Sequence, residues 1–312
     1  MREVTCHGID EERVARALDD IASRTWRWWH QMSHDGPSPE RFGEMRDELL
    51  DHVAARVAED PALDESSRSA LRTAAECSLG ALSIGCFPNG DQEIPLPLID
   101  EGFSSADMAF QDLVRHAPTA ETWVDTFAIC LVSGLVWEWK RVIGLLLRED
   151  FAPAIRDGVP YSRWDSTSNP ADLAAMDALC GYLSRASGHL PSDWPVVTLR
   201  KPDAEERAEA ARRLDATGPL SPDHRLLRVL LDDDPHAFER ALEARLIEYR
   251  ESVGPDPAPR TLLPLGVLAP VALAIQAHGW SPGVRSDYLP PGMPGSPDAL
   301  RRAADSDGRN AG

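Results

Sequence analysis

His30 and His34 stand four residues apart near the end of a helical stretch, a spacing that puts two imidazoles on one helix face and could hold a divalent metal. The metalloprotease form of that pair carries a Glu directly after the first His. This chain has Gln31 there, so the histidines read as structural or surface groups. Glu44, Glu48, Asp51 and His52 lie on adjacent helical turns and offer ion ligands, but a solvated helix face accounts for them better. Asp232, Asp233, Asp234 and His236 form the densest acidic run. A cap on the helix opened by Pro235 explains Asp234 and part of Asp233, while Asp232 stays unexplained, so these four are candidates for contacting a partner. Ala81-Leu-Ser83-Ile-Gly85 has the outline of a nucleophile elbow, yet it follows a helix where an elbow needs a strand. Neither a dinucleotide-type nor a P-loop-type glycine motif occurs, and no cofactor is expected.

Trp26 is a candidate of another kind. It lies about 200° around the helix from Trp28, which continues the buried stripe, so Trp26 faces away from the core. Such a side chain is covered either by another helix of the same chain or by a partner for which it is an anchor. Charge favours a partner of protein nature. Asp and Glu number 51 against 32 Lys and Arg, a formal net charge of -19 that repels phosphate backbones and anionic membranes and speeds encounter with basic protein surfaces. Simple dispersal in solution is the alternative reason for such acidity. The few lysines, Lys140 and Lys201, leave arginine as the main cation, the better residue for forked salt bridges.

The segment Met1 to Val14 has no apolar h-region, so no secretory signal is expected. Cys6, Cys77, Cys86, Cys130 and Cys180 are scattered, with no C-x-x-C pair, and read as small buried thiols in a reducing cytoplasm. Leu262 to Ala277 is strongly apolar, but Pro264, Gly266 and Pro270 interrupt it, and it reads as a buried core helix kinked at Pro270 in preference to a bilayer span.

The elements that must carry these residues are helices. Val14, Leu18, Ile21, Thr25, Trp28 and Met32 make one stripe, read as a single helix capped by Asp10 and ended by Gly36-Pro37. Ser38-Pro39 opens a second helix, closed at Asp60-Pro61, and a small-residue helix follows from about Glu65 to Leu82. Ile94-Pro-Leu-Pro-Leu98 must run extended on a surface or edge, and Ser104 with Ser105 caps a helix to about His116. Trp123 to Leu147 is apolar nearly all round and is expected to be the central core helix, bent near Gly134. Arg148 to Pro170 reads as irregular, and Asn169-Pro170 opens another helix. Helices then follow at 202–216, 221–231, 234–253 and 259–277, their short links implying antiparallel neighbours. The expectation is therefore an all-α array of antiparallel helices around a central apolar helix. It has an N-terminal domain over 1–188, a paired-helix region over 202–280 packed on it, and a disordered tail over 281–312.

Trp123-Val-Asp-Thr-Phe127, Leu135-Val-Trp137 with Arg141-Val-Ile-Gly144, and Asp150-Phe-Ala-Pro-Ala-Ile-Arg-Asp-Gly-Val-Pro-Tyr161 resemble the immunity protein 49 family of bacterial polymorphic toxin systems. Leu262-Leu-Pro-Leu-Gly266 and His278-Gly-Trp280 extend the resemblance, from about residue 10 to residue 280. It implies a helical protein encoded beside a toxin, which it neutralises by binding, and it brings no active-site residues. The rival readings are a helical metal-dependent hydrolase using Asp, Glu and His, and a regulatory scaffold of paired helices.

Overall fold

The computed structural model describes residues 2–107, 117–138, 142–158, 167–188, 190–195 and 198–293. It is built from helices, with strands confined to two short pairs. α1 (Glu11–Leu18) and α2 (Ile21–Asp35) replace the single helix expected from the apolar stripe. The break is chemical. Asp19 leaves helical geometry, and the Asp20 carboxylate accepts from the Ser23 amide at 3.1 Å to start α2 afresh. Arg24 then donates to the carbonyls of Arg16 and Ala17, the last turn of α1, so the stripe keeps its phase across the corner.

α3 (Pro39–Glu59) and α4 (Glu65–Cys86) form the most extensive helix pair, each started by the expected kind of cap, Ser38 and Asp64. Small residues along α4 let neighbours approach closely. A Cβ on Gly80 would lie 2.7 Å from the Ile94 side chain, so glycine there admits the hairpin that crosses the helix. That hairpin pairs β2 (Glu93–Leu96) with β3 (Glu101–Ser104) in antiparallel register, with Pro95 opposite Gly102. The extended run of prolines is thus half of a two-stranded edge. Ser104 ends β3, and the Ser105 hydroxyl accepts from the Gln92 amide instead of capping a helix; the remainder of that expected helix lies outside the described residues.

The central apolar segment is buried as expected but is not one helix. α5 (Ala120–Val132) stops where Gly134 takes φ +78°, a left-handed conformation glycine adopts at no steric cost. A 3-10 turn (Leu135–Trp137), α6 (Ile143–Leu145), a π-helical stretch (Leu146–Phe151) and α7 (Ala152–Asp157) follow, so 148–157 is helical where irregular chain was expected. Trp123, fully buried, stacks on Phe127 and donates its indole N–H to the Leu147 carbonyl at 2.8 Å, fastening the returning chain against α5.

α8 (Pro170–Cys180), α9 (Ala204–Ala216), α10 (Pro222–Leu231), α11 (Pro235–Ser252) and α12 (Leu265–Gln276) complete the helical array. Pro259–Gln276 is apolar and long enough to cross a membrane by composition alone, but 67% of it is buried inside the protein, against α5, α10 and α11. The helix runs on through Pro270. β1 (Arg2–Val4) lies parallel to β4 (Val284–Ser286), and Tyr288 and Met293 are fully buried. Residues 281–293 are therefore part of the packed fold, not of a disordered tail. Val4 is tied to them through its carbonyl, which accepts from the Ser286 hydroxyl at 2.6 Å. The expectation for 294–312 lies outside the described residues.

Candidate partner-binding surface

The acidic run between α10 and α11 serves the fold. Asp233 takes φ +58°, and its carboxylate receives Lys201 Nζ at 2.7 Å, Arg207 Nη2 at 2.9 Å and His278 Nδ1 at 2.8 Å. The His278 ring is wholly enclosed, meets the Tyr182 hydroxyl at 2.9 Å through Nε2, and is held below the usual imidazole range by its burial. Asp232 pairs with Arg228, Asp234 caps α11 by accepting from the His236 and Ala237 amides, and His236 itself is exposed. The three carboxylates thus join α9, α10, α11 and the chain after α12.

The set on α3 is likewise used for fastening, which corrects the expectation of a solvated face. Asp51 accepts from the Arg260 amide at 2.8 Å and from its guanidinium at 2.9 Å, Glu48 accepts from the Trp28 indole, and buried His52 meets the Ala17 carbonyl at 2.9 Å. Only Glu44 is fully solvent-facing. Ser83 lies within α4, hydrogen-bonded to Gln92 at 2.6 Å, so no strand presents it as a nucleophile. Among the described residues no three His, Cys, Asp or Glu side chains gather in a metal-holding group.

Trp26 lies where the helical period placed it. It is 47% exposed on the outer face of α2, and no helix among the described residues covers it fully. Its ring lies 6.0 Å from Trp29 and 5.2 Å from His30, and His30 meets His34 edge-on at 4.5 Å. The two histidines are therefore members of an exposed aromatic ladder. Trp28, two residues on, points inward to Glu48. Trp29 links the ladder to the hairpin by donating its indole N–H to the Gly102 carbonyl at 3.0 Å.

The hairpin beside the ladder is strongly acidic. No Lys or Arg occurs between Arg72 and Arg115, a stretch that contains Asp91, Glu93, Asp100, Glu101 and Asp107. Asp100 takes φ +55° in the turn, and Asp91, Asp100, Glu101 and Asp107 are exposed with no ion pair among the described residues. Glu93, Glu101 and Asp107 line a shallow groove of about 350 Å³ along the hairpin. The sequence signal for these carboxylates is that they fall in its longest run without a basic residue, a weaker mark than the contiguous 232–234 triplet. Arg27 is the exposed basic neighbour on α2 itself.

An aromatic anchor bordered by unneutralised carboxylates suits a basic protein surface, since an arginine can lie over the indole face while its fork meets a carboxylate. No curated protein and no solved structure matches the chain. The family model described as Immunity protein 49 matches residues 60–293, from the end of α3 to the buried residues after β4. That span is well over half of the sequence, and the chain belongs to the immunity protein 49 family.

Proposed function

We propose that this protein is an immunity protein that binds and neutralises a cognate bacterial toxin by stoichiometric protein–protein inhibition in the cytoplasm. Membership of the immunity protein 49 family carries the reading. The exposed aromatic group of Trp26, Trp29, His30 and His34 beside the acidic β2–β3 hairpin supports a reading in which the first is the anchor and the second the rim for a basic toxin domain. The negative field steers encounter, and the desolvated aromatic contact slows escape. Inhibition then follows from occlusion of the toxin's active site or substrate path, with no turnover by the immunity protein.

The test uses the toxin domain encoded beside this gene. The expected result is a stable complex, loss of toxin activity at equimolar protein, and an association rate that falls as salt is raised from 50 to 500 mM, conditions under which the Debye length shrinks several-fold. Full toxin activity in a tenfold excess of this protein would overturn the proposal, as would turnover of the toxin's substrate by this chain alone.

A further inference from the structure

Most arginines in this acidic molecule are matched to carboxylates, but one cleft is not balanced in that way. Between the π-helical stretch, α7, α8 and α9 lies a cavity of about 680 Å³ whose wall includes Arg148, Arg156, Arg185, Arg207 and Arg213. The carboxylates in the same wall are largely engaged. Asp177 is shared by Arg156 and Arg213, Glu209 pairs with Arg212 and Arg213, and Glu206 is held bidentately by Arg200.

Three guanidinium groups are left under-compensated. The Arg148 side chain is 10% exposed, and its Nη1 donates to the carbonyls of Cys180 and Leu183; its nearest carboxylate is Glu149, 3.4 Å from Nε. Burial, followed by the nearby charge of Arg185, pulls its pKa down. Arg207 is 12% exposed and spends its Nη groups on the Pro202 carbonyl and Asp233, while its Nε–H is buried without an acceptor. Arg185 is exposed at the cavity and has no hydrogen-bond or ion partner among the described residues. A buried guanidinium with an unused donor is costly, and the unused Arg207 Nε–H together with the unpaired Arg185 guanidinium in the wall of one cavity is a donor set that an oxyanion satisfies.

We propose that this cleft is an oxyanion-binding site, taking either free phosphate or a carboxylate carried on a peptide chain. The site is separate from the α2 face and does not depend on the toxin reading. The experiment is isothermal titration of the full chain with sodium phosphate and, separately, with a penta-glutamate peptide, each against sodium chloride of equal ionic strength. At least one ligand is expected to bind with Kd of about 1 mM or tighter. Arg185→Gln is expected to weaken that binding at least about fivefold without lowering Tm, since the native side chain has no hydrogen-bond or ion partner among the described residues. Arg240→Gln, exposed on α11, is expected to leave binding unchanged. The Arg207 Nε–H resonance is expected to shift on saturation, a readout independent of the variants. Binding of phosphate alone identifies the free ion as the source, and binding of the peptide alone identifies a carboxylate-bearing chain. The proposal is overturned if neither ligand binds beyond the chloride control, or if Arg185→Gln binds as the parent does.

Discussion

Replacing Trp26 by Ala tests the proposed recognition role separately from folding. The side chain is 47% exposed in the free protein, so a partner that covers it removes roughly 100 Å² of aromatic surface from water, taking a Trp as burying up to about 250 Å². At about 25 cal/mol per Å² that is ~2.5 kcal/mol of binding free energy, a loss of roughly fifty- to hundredfold in Kd. The cost to the free protein is smaller. Trp26 touches Trp29 and His30 but fills no cavity, so Trp26→Ala is expected to lower unfolding free energy by about 0.5–1 kcal/mol. Isothermal titration against the toxin domain and urea unfolding of the free chain measure the two effects separately. Trp28→Ala is expected to show the reverse pattern, because that indole packs inward on Glu48. Trp194→Ala, at 36% exposure in the connector before α9, is expected to change neither by much. An affinity for toxin that stays within threefold after Trp26→Ala refutes the anchoring role and with it the placement of the interface on α2.

The other predictions concern stability. Asp233→Asn keeps a residue that tolerates positive φ but removes the charge meeting Lys201, Arg207 and His278, and is expected to cost about 2–3 kcal/mol in urea unfolding. Toxin affinity should be unaffected, which is the outcome that separates a joint of the fold from a partner contact. His52 is held below the ordinary imidazole value of 6.5 mainly by burial, so the unfolded chain takes up its proton first and the native state loses stability as pH falls below 6.5. His52→Asn supplies a comparable donor for the Ala17 carbonyl without titrating, so the stability difference between parent and variant should shrink between pH 7.5 and 5.5; a constant difference would show that this imidazole does not titrate as argued.

Helix starts were legible because caps are local chemistry. Asp10, Ser38, Asn169, Ser221 and Asp234 all accept from amides two or three residues on. Continuity was not. The stripe from Val14 to Met32 keeps helical phase whether or not the chain turns a corner, and only the competition of Asp20 for the Ser23 amide decides that it does. The segment from Trp123 to Leu147 declared its burial through composition, yet burial on every side leaves no periodicity to mark where Gly134 stops the helix. Pairing of residues 2–4 with 284–286 depends on contacts between distant parts of the chain, and three-residue strands carry too little pattern to announce it. At the candidate site, Trp26 was legible from helical angle alone. The hairpin rim was not, because a segment broken by Pro95 and Pro97 gives no pairing signal.

Acidity acts here through its distribution more than through its total. On the helices, carboxylates are repeatedly matched: Asp64 with Arg56, Glu206 with Arg200, Asp223 with Arg245, Glu248 with Arg225, Asp215 and Asp232 with Arg228. Such pairs are worth little individually, but each largely cancels the field of its own carboxylate at distances well beyond the separation of the two charges. The stretch between Arg72 and Arg115 supplies no basic residue of its own to cancel Asp91, Asp100, Glu101 and Asp107, and the fold sets its hairpin against Trp29. On the proposed reading, a basic partner drawn to this hairpin meets the neighbouring face of α2, on which Trp26 is 47% exposed. Long-range attraction and short-range anchoring coincide on the same surface, which is the condition under which fast association and slow dissociation can be set independently by different residues.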